Sequence, residues 1–497
     1  MSDEKTNKTD AKASVSPDQY RAQRIENMKR LKELGYEPFG RAYERTGTIQ
    51  EIRELWKPVP EGEEQPAVNV TAAGRLLGIR KMGKTIFADL RDGTEHIQLF
   101  VNGKNCGVDP FAAFKLLDLG DIIGVEGELF TTRTGELTIR LRKWELLSKA
   151  LRQPPEKFHG LQDQEECYRQ RYIDLFSNPE SRERFNKRIG IMRETRRWLE
   201  DRGFQEVETP ILQPHAGGAA AKPFVTHYNA LDSEMFMRIA PELYLKRLII
   251  GGFDKVFELG RDFRNEGLDR THNPEFTVLE IYQAYGDRNA MKAIIEGLLP
   301  HLCDTVIGNR KIPYEDGVID FTPPYREADY SELVKEKMGD DWFELDDATA
   351  REKAKALGLD IEPTMNHLLV THEIYDKTIE KTLFQPTFVV RMPHEFVPLA
   401  KACPDDPSKA NAFEFVVGGR ELCPGYTEQN NPFAQREAFK AQVDEDAEST
   451  DEDFVEALEY AMPPTGGMGL GMDRLTMMMT GTDVIRDVIL FPQLKSK

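Results

Sequence analysis

Between Val256 and Tyr285 the chain reads VFELGRDFRNEGLDRTHNPEFTVLEIYQAY. Side chains on a strand alternate between two faces, so this pattern reads as two antiparallel strands with unlike faces. In the first, Phe257, Leu259 and Phe263 share one parity and can face a core, while Arg264 and Glu266 point to the other side. In the second, Phe276, Val278, Glu280 and Tyr282 share a face opposite Leu279 and Ile281. Gly267 and Asn273-Pro274 give the connecting loop its turn chemistry. The hairpin therefore presents Arg, Glu, Phe, Glu and Tyr where a simple sheet would bury aliphatic groups. Buried charge needs partners, and a charged ligand can supply them.

Two other segments frame this hairpin. Upstream, an amphipathic helix with Phe185, Ile189, Met192 and Leu199 on one face ends at Gly203, and a strand, FQEVETP, runs to Pro210. Near the C-terminus, PPTGGMGLGMDRLTMMM sets Gly469 and Gly471 just before Arg474 and an apolar helical run. Glycines let backbones approach closely, which can hold Arg474 at the bottom of a cleft. Alternating helices and strands fill the rest of this half, with a stretch at 286–384 read as an insertion of mixed helices. The acidic run at 443–453 reads as a solvated loop.

The N-terminal part has a different texture. Residues 1–19 read as a disordered, polar tail. Ile25, Met28, Leu31 and Leu34 predict a helix from Tyr20 that stops at Gly35, and PVPEGEEQP marks a boundary ending at Pro66. From 66 to 150, five short β-type runs are separated by RDG, NGK and RTG turns, which fits a small oligonucleotide-binding barrel. GIRKMGKT, Gly78 to Thr85, matches the phosphate-loop pattern, but strand and turn residues follow it where a helix is required. Residues 151–180 read as a polar linker with a short helix.

Composition limits the partners. With 66 Lys+Arg against 85 Asp+Glu the net charge is −19, which argues against bulk binding to polyanions. The segment 66–150 instead holds 12 Lys+Arg against 10 Asp+Glu, and is the expected docking place for one. No run approaches the roughly 18 apolar residues of a membrane span, and the N-terminus lacks an apolar signal region, so a cytoplasmic protein is expected. Five cysteines without a C-x-x-C pair predict buried reduced thiols.

Taken in order, the upstream segment, the hairpin and the C-terminal segment resemble motifs 1, 2 and 3 of class II aminoacyl-tRNA synthetases. FHGLQDQE, YRQRYIDL, RIAPELYLKRLIIGGFDKVFELGRDFRNEG, THNPEFT, LEYAMPPTGG and IRDVILFP resemble the lysyl-tRNA synthetase family more closely, from about residue 20 to the end. The resemblance implies an α+β protein. Its parts would be a five-stranded OB-fold β-barrel that binds the anticodon (66–150) and a catalytic domain built on an antiparallel sheet flanked by helices (181–497).

The implied activity is ATP-dependent activation of L-lysine to lysyl-adenylate, then transfer to tRNA(Lys), with Mg2+ as cofactor and a homodimer formed across motif 1. A carboxylate nucleophile needs no general base, so the chemistry asks for positioning and for cations that meet developing charge. By resemblance, Arg264 and Arg474 are catalytic. Arg264, Glu266, His272, Asn273, Phe276 and Arg474 bind ATP. Gly218, Glu242, Glu280, Tyr282, Tyr426 and Glu428 bind lysine, and Glu414 and Glu421 hold the metal. In the barrel, Arg80, Phe87, Gln98 and Glu136 fall at anticodon-reading positions.

The chain departs from the family pattern around the amino-acid pocket: Pro424 stands for the usual Asn, Gln429 and Asn431 for Leu and Asp, and Val397 for Ser. Thr271, where many bacterial members carry Arg, matches a eukaryotic-like branch. An alternative is a paralog that activates a lysine analogue or modifies a non-tRNA acceptor. A third reading, a regulatory RNA-binding paralog, is disfavoured by the presence of Arg264, Glu414, Glu421 and Arg474.

Overall fold

The computed structural model describes residues 16–60, 65–155, 161–219, 221–442 and 451–495. It forms two compact units, Met1–Asn178 and Pro179–Lys497. Residues 1–15 of the expected tail and 443–450 of the expected acidic loop lie outside the described residues.

In the first unit the leading helix spans Pro17–Glu33, starting earlier than Tyr20 because Ser16 and Gln19 cap it reciprocally. Gly35, at φ 86°, ends it. The strands β1 (Asn69–Met82), β2 (Thr85–Arg91), β3 (His96–Asn102), β4 (Ile122–Thr131) and β5 (Leu137–Ser148) close a barrel in the order β1-β2-β3-β5-β4. Inward residues such as Ile86, Ala88, Leu90, Ile97, Leu99 and Val101 are buried, and their neighbours face outward. The phosphate-loop look-alike is the β1–β2 hairpin, with Met82 paired to Thr85, so no helix terminus stands there to receive an anion. The segment expected to link the domains carries two short helices, Gln164–Arg169 and Arg171–Ser177.

The second unit is built on an eight-stranded sheet. Its order is Arg326–Asp329, Thr387–Val390, Ala412–Val417, Arg420–Thr427, Thr465–Gly471, Glu275–Ala284, Lys255–Phe263, Gln205–Glu206. The six inner strands are antiparallel and both edge strands pair parallel. One face buries Phe257, Leu279, Ile281, Phe415 and Leu470 against the helices Pro179–Glu200, Arg288–Leu302 and Met472–Thr480. The other face carries the candidate site. The stretch 286–384 holds strands as well as helices: Lys311–Tyr314 and Gly317–Asp320 form a hairpin, and Arg326–Asp329 joins the main sheet.

The helix Pro179–Glu200 buries Phe185, Ile191, Trp198 and Leu199, whereas Ile189 is 59 % exposed. The expected stripe is thus split between the core and an open groove. That groove is lined by Phe185, Ile189, Met192 and Leu490 with a rim of arginines.

Candidate functional site

Register decides what the hairpin displays. Glu258 pairs with Glu280, Gly260 with Val278, and Asp262 with Phe276. All six positions share the face opposite Phe257, Leu279 and Ile281, which are buried in the core. A cavity of about 1420 Å³ opens over this face, larger than most small-molecule pockets and roomy enough for two ligands.

One end of the cavity is cationic. Arg264 follows directly on the first hairpin strand, with its guanidinium 5.1 Å from the Phe276 ring centre. Arg474 stands at the start of the helix Met472–Thr480 and donates to the Glu421 carbonyl at 2.8 Å and to His272 Nε2 at 3.1 Å. Because a guanidinium only donates, His272 Nε2 accepts, and Nδ1 carries the proton that it gives to Asp269 Oδ2 at 2.7 Å. Burial pushes the Asp269 carboxyl up, but the donors of Thr271 and His272 outweigh it and hold it at about 2. Asn273 spends its amide on the Glu275 carbonyl and on Gln493, leaving a buried Oδ1 without a hydrogen bond. Glu266 lines this end as an exposed side chain.

The other end is anionic. Glu280 is buried and accepts from the Tyr282 hydroxyl at 3.0 Å. Burial, with Glu242 and Asp262 nearby, raises the Glu280 carboxyl well above the usual range. Glu242, at the start of the helix Glu242–Ile250, and Tyr426 complete the wall. Gly218 lies beside them at φ 84°, where a Cβ would come within 3.2 Å of the Ala240 Cβ and 3.3 Å of the Glu242 Cβ. Glu428 stands behind the wall rather than in it, fully buried against Tyr282 and Gly467, a position with no room for a Cβ.

Glu414 and Glu421 occupy neighbouring strands across a hairpin with a bulge between Phe415 and Val416. Only Glu421 lines the cavity. Burial raises both carboxyls; Glu421 and Glu380 push Glu414 further, while Arg474 and Arg264 pull Glu421 back. Glu380 accepts from the Glu421 N–H at 2.6 Å, and burial lifts it to about 7 despite that bond. Crowded carboxylates of this kind fit a divalent cation. Among the described residues no group of three or more His, Cys, Asp or Glu side chains is arranged to hold a metal ion.

On the barrel, Phe87, Phe100 and Phe130 form a row with centroids 5.4 and 5.8 Å apart, and Arg140 lies 4.6 Å over Phe130. Arg80 pairs with Asp89 at 3.1 Å, and Gln98 accepts from Thr138 at 3.2 Å. Glu136 lies at the end of the β4–β5 turn, its N–H donating to Thr132 Oγ1 at 3.0 Å. The rings meet at 59° and 77°, tilted and edge to face, and aromatic faces beside an arginine are the kind of surface on which unstacked bases can stack.

Several members of these sites escape a sequence reading: Asp262, Asp269, Glu380, Lys246, Phe100, Phe130 and Arg140. Strand parity could have found Asp262, which shares it with Arg264, and Phe100, which pairs with Phe87. Nothing local marks Glu380 or Lys246. The five cysteines are free, four of them buried and Cys167 half-buried.

The family model for class II tRNA synthetases (D, K and N) matches residues 163–495, and that for the OB-fold nucleic acid binding domain matches 70–147. The chain is 46 % identical to the lysine–tRNA ligase of Bacillus subtilis (strain 168) over 482 residues, covering 95 % of this chain and 97 % of that one. It is 46 % identical to the lysine–tRNA ligase of Syntrophomonas wolfei over 481 residues (95 % and 96 %), and 44 % identical to that of Staphylococcus aureus (strain Mu3) over 484 (95 % and 98 %). A cavity cationic at one end and acidic at the other, with a closed five-stranded barrel in the first unit, agrees with these matches, and the chain belongs to the class II tRNA synthetases, in the family of the lysine–tRNA ligases.

Proposed function

We propose that this protein activates L-lysine with ATP and passes the lysyl group to the 3′ end of tRNA(Lys). The observation that carries this reading is the polarity of one cavity, in which Arg264 and Arg474 stand at one end and Glu242 and Glu280 at the other. An amino acid with a second ammonium is drawn to the acidic end, which directs its carboxylate towards Arg264.

In the first step a carboxylate oxygen of lysine attacks the α-phosphorus of ATP, and the bond to pyrophosphate breaks. Arg264 bridges the nucleophile and the α-phosphate, offsetting the repulsion between two anions. Phe276 stacks on one face of adenine and Arg474 covers the other while meeting the γ-phosphate. Glu266, His272 and Asn273 fix the rest of the nucleotide. Gly218 and Glu242 receive the α-amino group; Glu280, Tyr282 and Tyr426 receive the side chain, and Glu428, behind Tyr282, adds to lysine binding through its charge. A neutral analogue would leave buried carboxylates unpaired, which costs affinity. Glu414 and Glu421 would hold Mg2+, which when bound neutralises phosphate charge.

For the second step, the phenylalanine row with Arg80, Gln98 and Glu136 supports anticodon reading on the barrel. The open groove around Ile189 and Leu490 supports a homodimer across the helix Pro179–Glu200. Free cysteines support a cytosolic setting, and no described helix is long and apolar enough to cross a membrane.

Amino-acid-dependent ATP–pyrophosphate exchange with lysine and its analogues, followed by charging of total tRNA, tests the reading. Exchange with lysine and charging of a lysine tRNA are expected. No exchange with any amino acid would sink it. Pro424 lines the pocket, so exchange with an analogue but not with lysine would favour the alternative of a paralog with altered substrate. Sedimentation showing only monomer would refute the dimer.

A further inference from the structure

Behind the acidic end of the cavity lies a cation that belongs to the protein. Lys246 is completely buried, one helical turn beyond Glu242 on the helix Glu242–Ile250. Its Nζ is 2.5 Å from Glu242 Oε1 and 2.5 Å from Glu428 Oε2. Each carboxylate thus gives one oxygen to Lys246 and keeps the other. Glu428 Oε1 is buried without a hydrogen-bond partner. Such an orphan is costly unless a ligand satisfies it.

Charge counting gives the arrangement a purpose. Three carboxylates, Glu242, Glu280 and Glu428, stand around the pocket against one resident cation, Lys246, so two carboxylates remain for a ligand, whose ammonium groups would favour the ionised forms that burial of Glu280 and Glu428 opposes. Glu258 and Asp262 are paired with Arg238, and Arg264 is also near Asp262, which offsets their charge although Asp262 is close enough to act on Glu280. A diamino acid brings two ammonium groups, which matches the remainder; a monoamino acid brings one. Lys246 also spans two elements far apart in the chain, since Glu428 follows the strand Arg420–Thr427.

We propose that Lys246 is a positioning residue that sets amino-acid selectivity: it fixes Glu242 and Glu428 in register and trims the pocket's charge to that of a substrate with two ammonium groups. It touches no substrate. The inference rests on the lysine-activating reading above.

The test is lysine-dependent ATP–pyrophosphate exchange by the full chain carrying Lys246→Met, and by the double variant Lys246→Met/Glu428→Gln, which restores the charge count. The single variant is expected to raise the lysine KM at least tenfold, with the ATP KM and kcat within threefold. The double variant should recover at least fivefold of that loss. A single variant with a lysine KM within threefold of the parent, or a double variant no better than the single, overturns the proposal; a merely structural role predicts additive losses. If the single variant does not fold, the double variant decides alone: it must fold and exchange with a lysine KM within tenfold of the parent, and otherwise the proposal falls. A parent that fails to exchange with lysine would refute the functional reading itself, which is a separate outcome.

Discussion

Arg188, on the helix Pro179–Glu200, forms an ion pair at 2.5 Å with the buried Asp473, the residue before Arg474. Asp473 also accepts the Thr277 N–H at 2.7 Å, and Arg188 donates to the Thr277 hydroxyl at 3.0 Å. The pair therefore joins a helix, the strand that carries Phe276 and the helix that carries Arg474. Replacing Arg188 with Met strands a buried carboxylate, an event that costs about 3–5 kcal/mol. Urea unfolding should show that loss, and Arg188→Met/Asp473→Asn should recover part of it. A single variant with an unchanged midpoint would mean that the pair holds nothing together.

Arg264 lies over the edge of the cavity with its guanidinium near Phe276. If it meets charge that develops at the α-phosphate, Arg264→Ala should slow exchange by about a hundred- to a thousandfold, the usual cost of one such donor. Arg264→Lys should remain well below the parent, because an ammonium cannot bridge two oxygens in the same plane. Exchange kinetics at saturating lysine check this, and near-normal turnover by the Lys variant would exclude a bidentate role.

Asp262 is buried, and burial lifts its carboxyl to about 7 even though Arg238 and Arg264 pull it down. A carboxyl raised in the folded state binds its proton more tightly there than in the unfolded chain. Its contribution to stability is then fully present at acid pH and falls as pH rises from about 4 to 7. The cap on that change is about 4 kcal/mol. Asp262→Asn should therefore stabilise the protein more at pH 8 than at pH 5. Melting temperatures of both proteins at the two pH values measure the difference, and an equal shift at both would contradict it.

Pro424 sits inside a central strand, opposite Glu414 and beside the bulge at Phe415 and Val416. A proline there supplies neither a ladder N–H nor a side-chain amide, and such positions normally exclude it. Pro424→Asn restores both groups at a cavity-lining position. The lysine KM in exchange should fall several-fold while the ATP KM stays put. An unchanged lysine KM would count against any role for this position in amino-acid binding.

Strand parity was legible over the hairpin because alternation is local: Phe276, Glu280 and Tyr282 on one face and Leu279 and Ile281 on the other follow from the order of residues alone. The five-strand barrel was legible for the same reason, since turn residues separate short alternating runs. Local patterns also misled. Ile189 sits at helical spacing from Phe185 and Met192, yet it faces an open groove, because the helix core follows Ile191, Trp198 and Leu199 instead. The stretch after Tyr285 read as helices, but short strands whose pairing partners lie elsewhere carry no periodic signal of their own.

The sequence by itself determined which side chains share a face and where the barrel begins, and it singled out Arg264, Arg474, Glu242, Glu280 and Glu421, which the structure brings to one cavity. Only the tertiary structure decided who neutralises whom. Lys246 meets Glu428 from 182 positions away and Arg188 meets Asp473 from 285 away. Ion pairing depends on distance in space and on the exclusion of water, neither of which is encoded in local spacing.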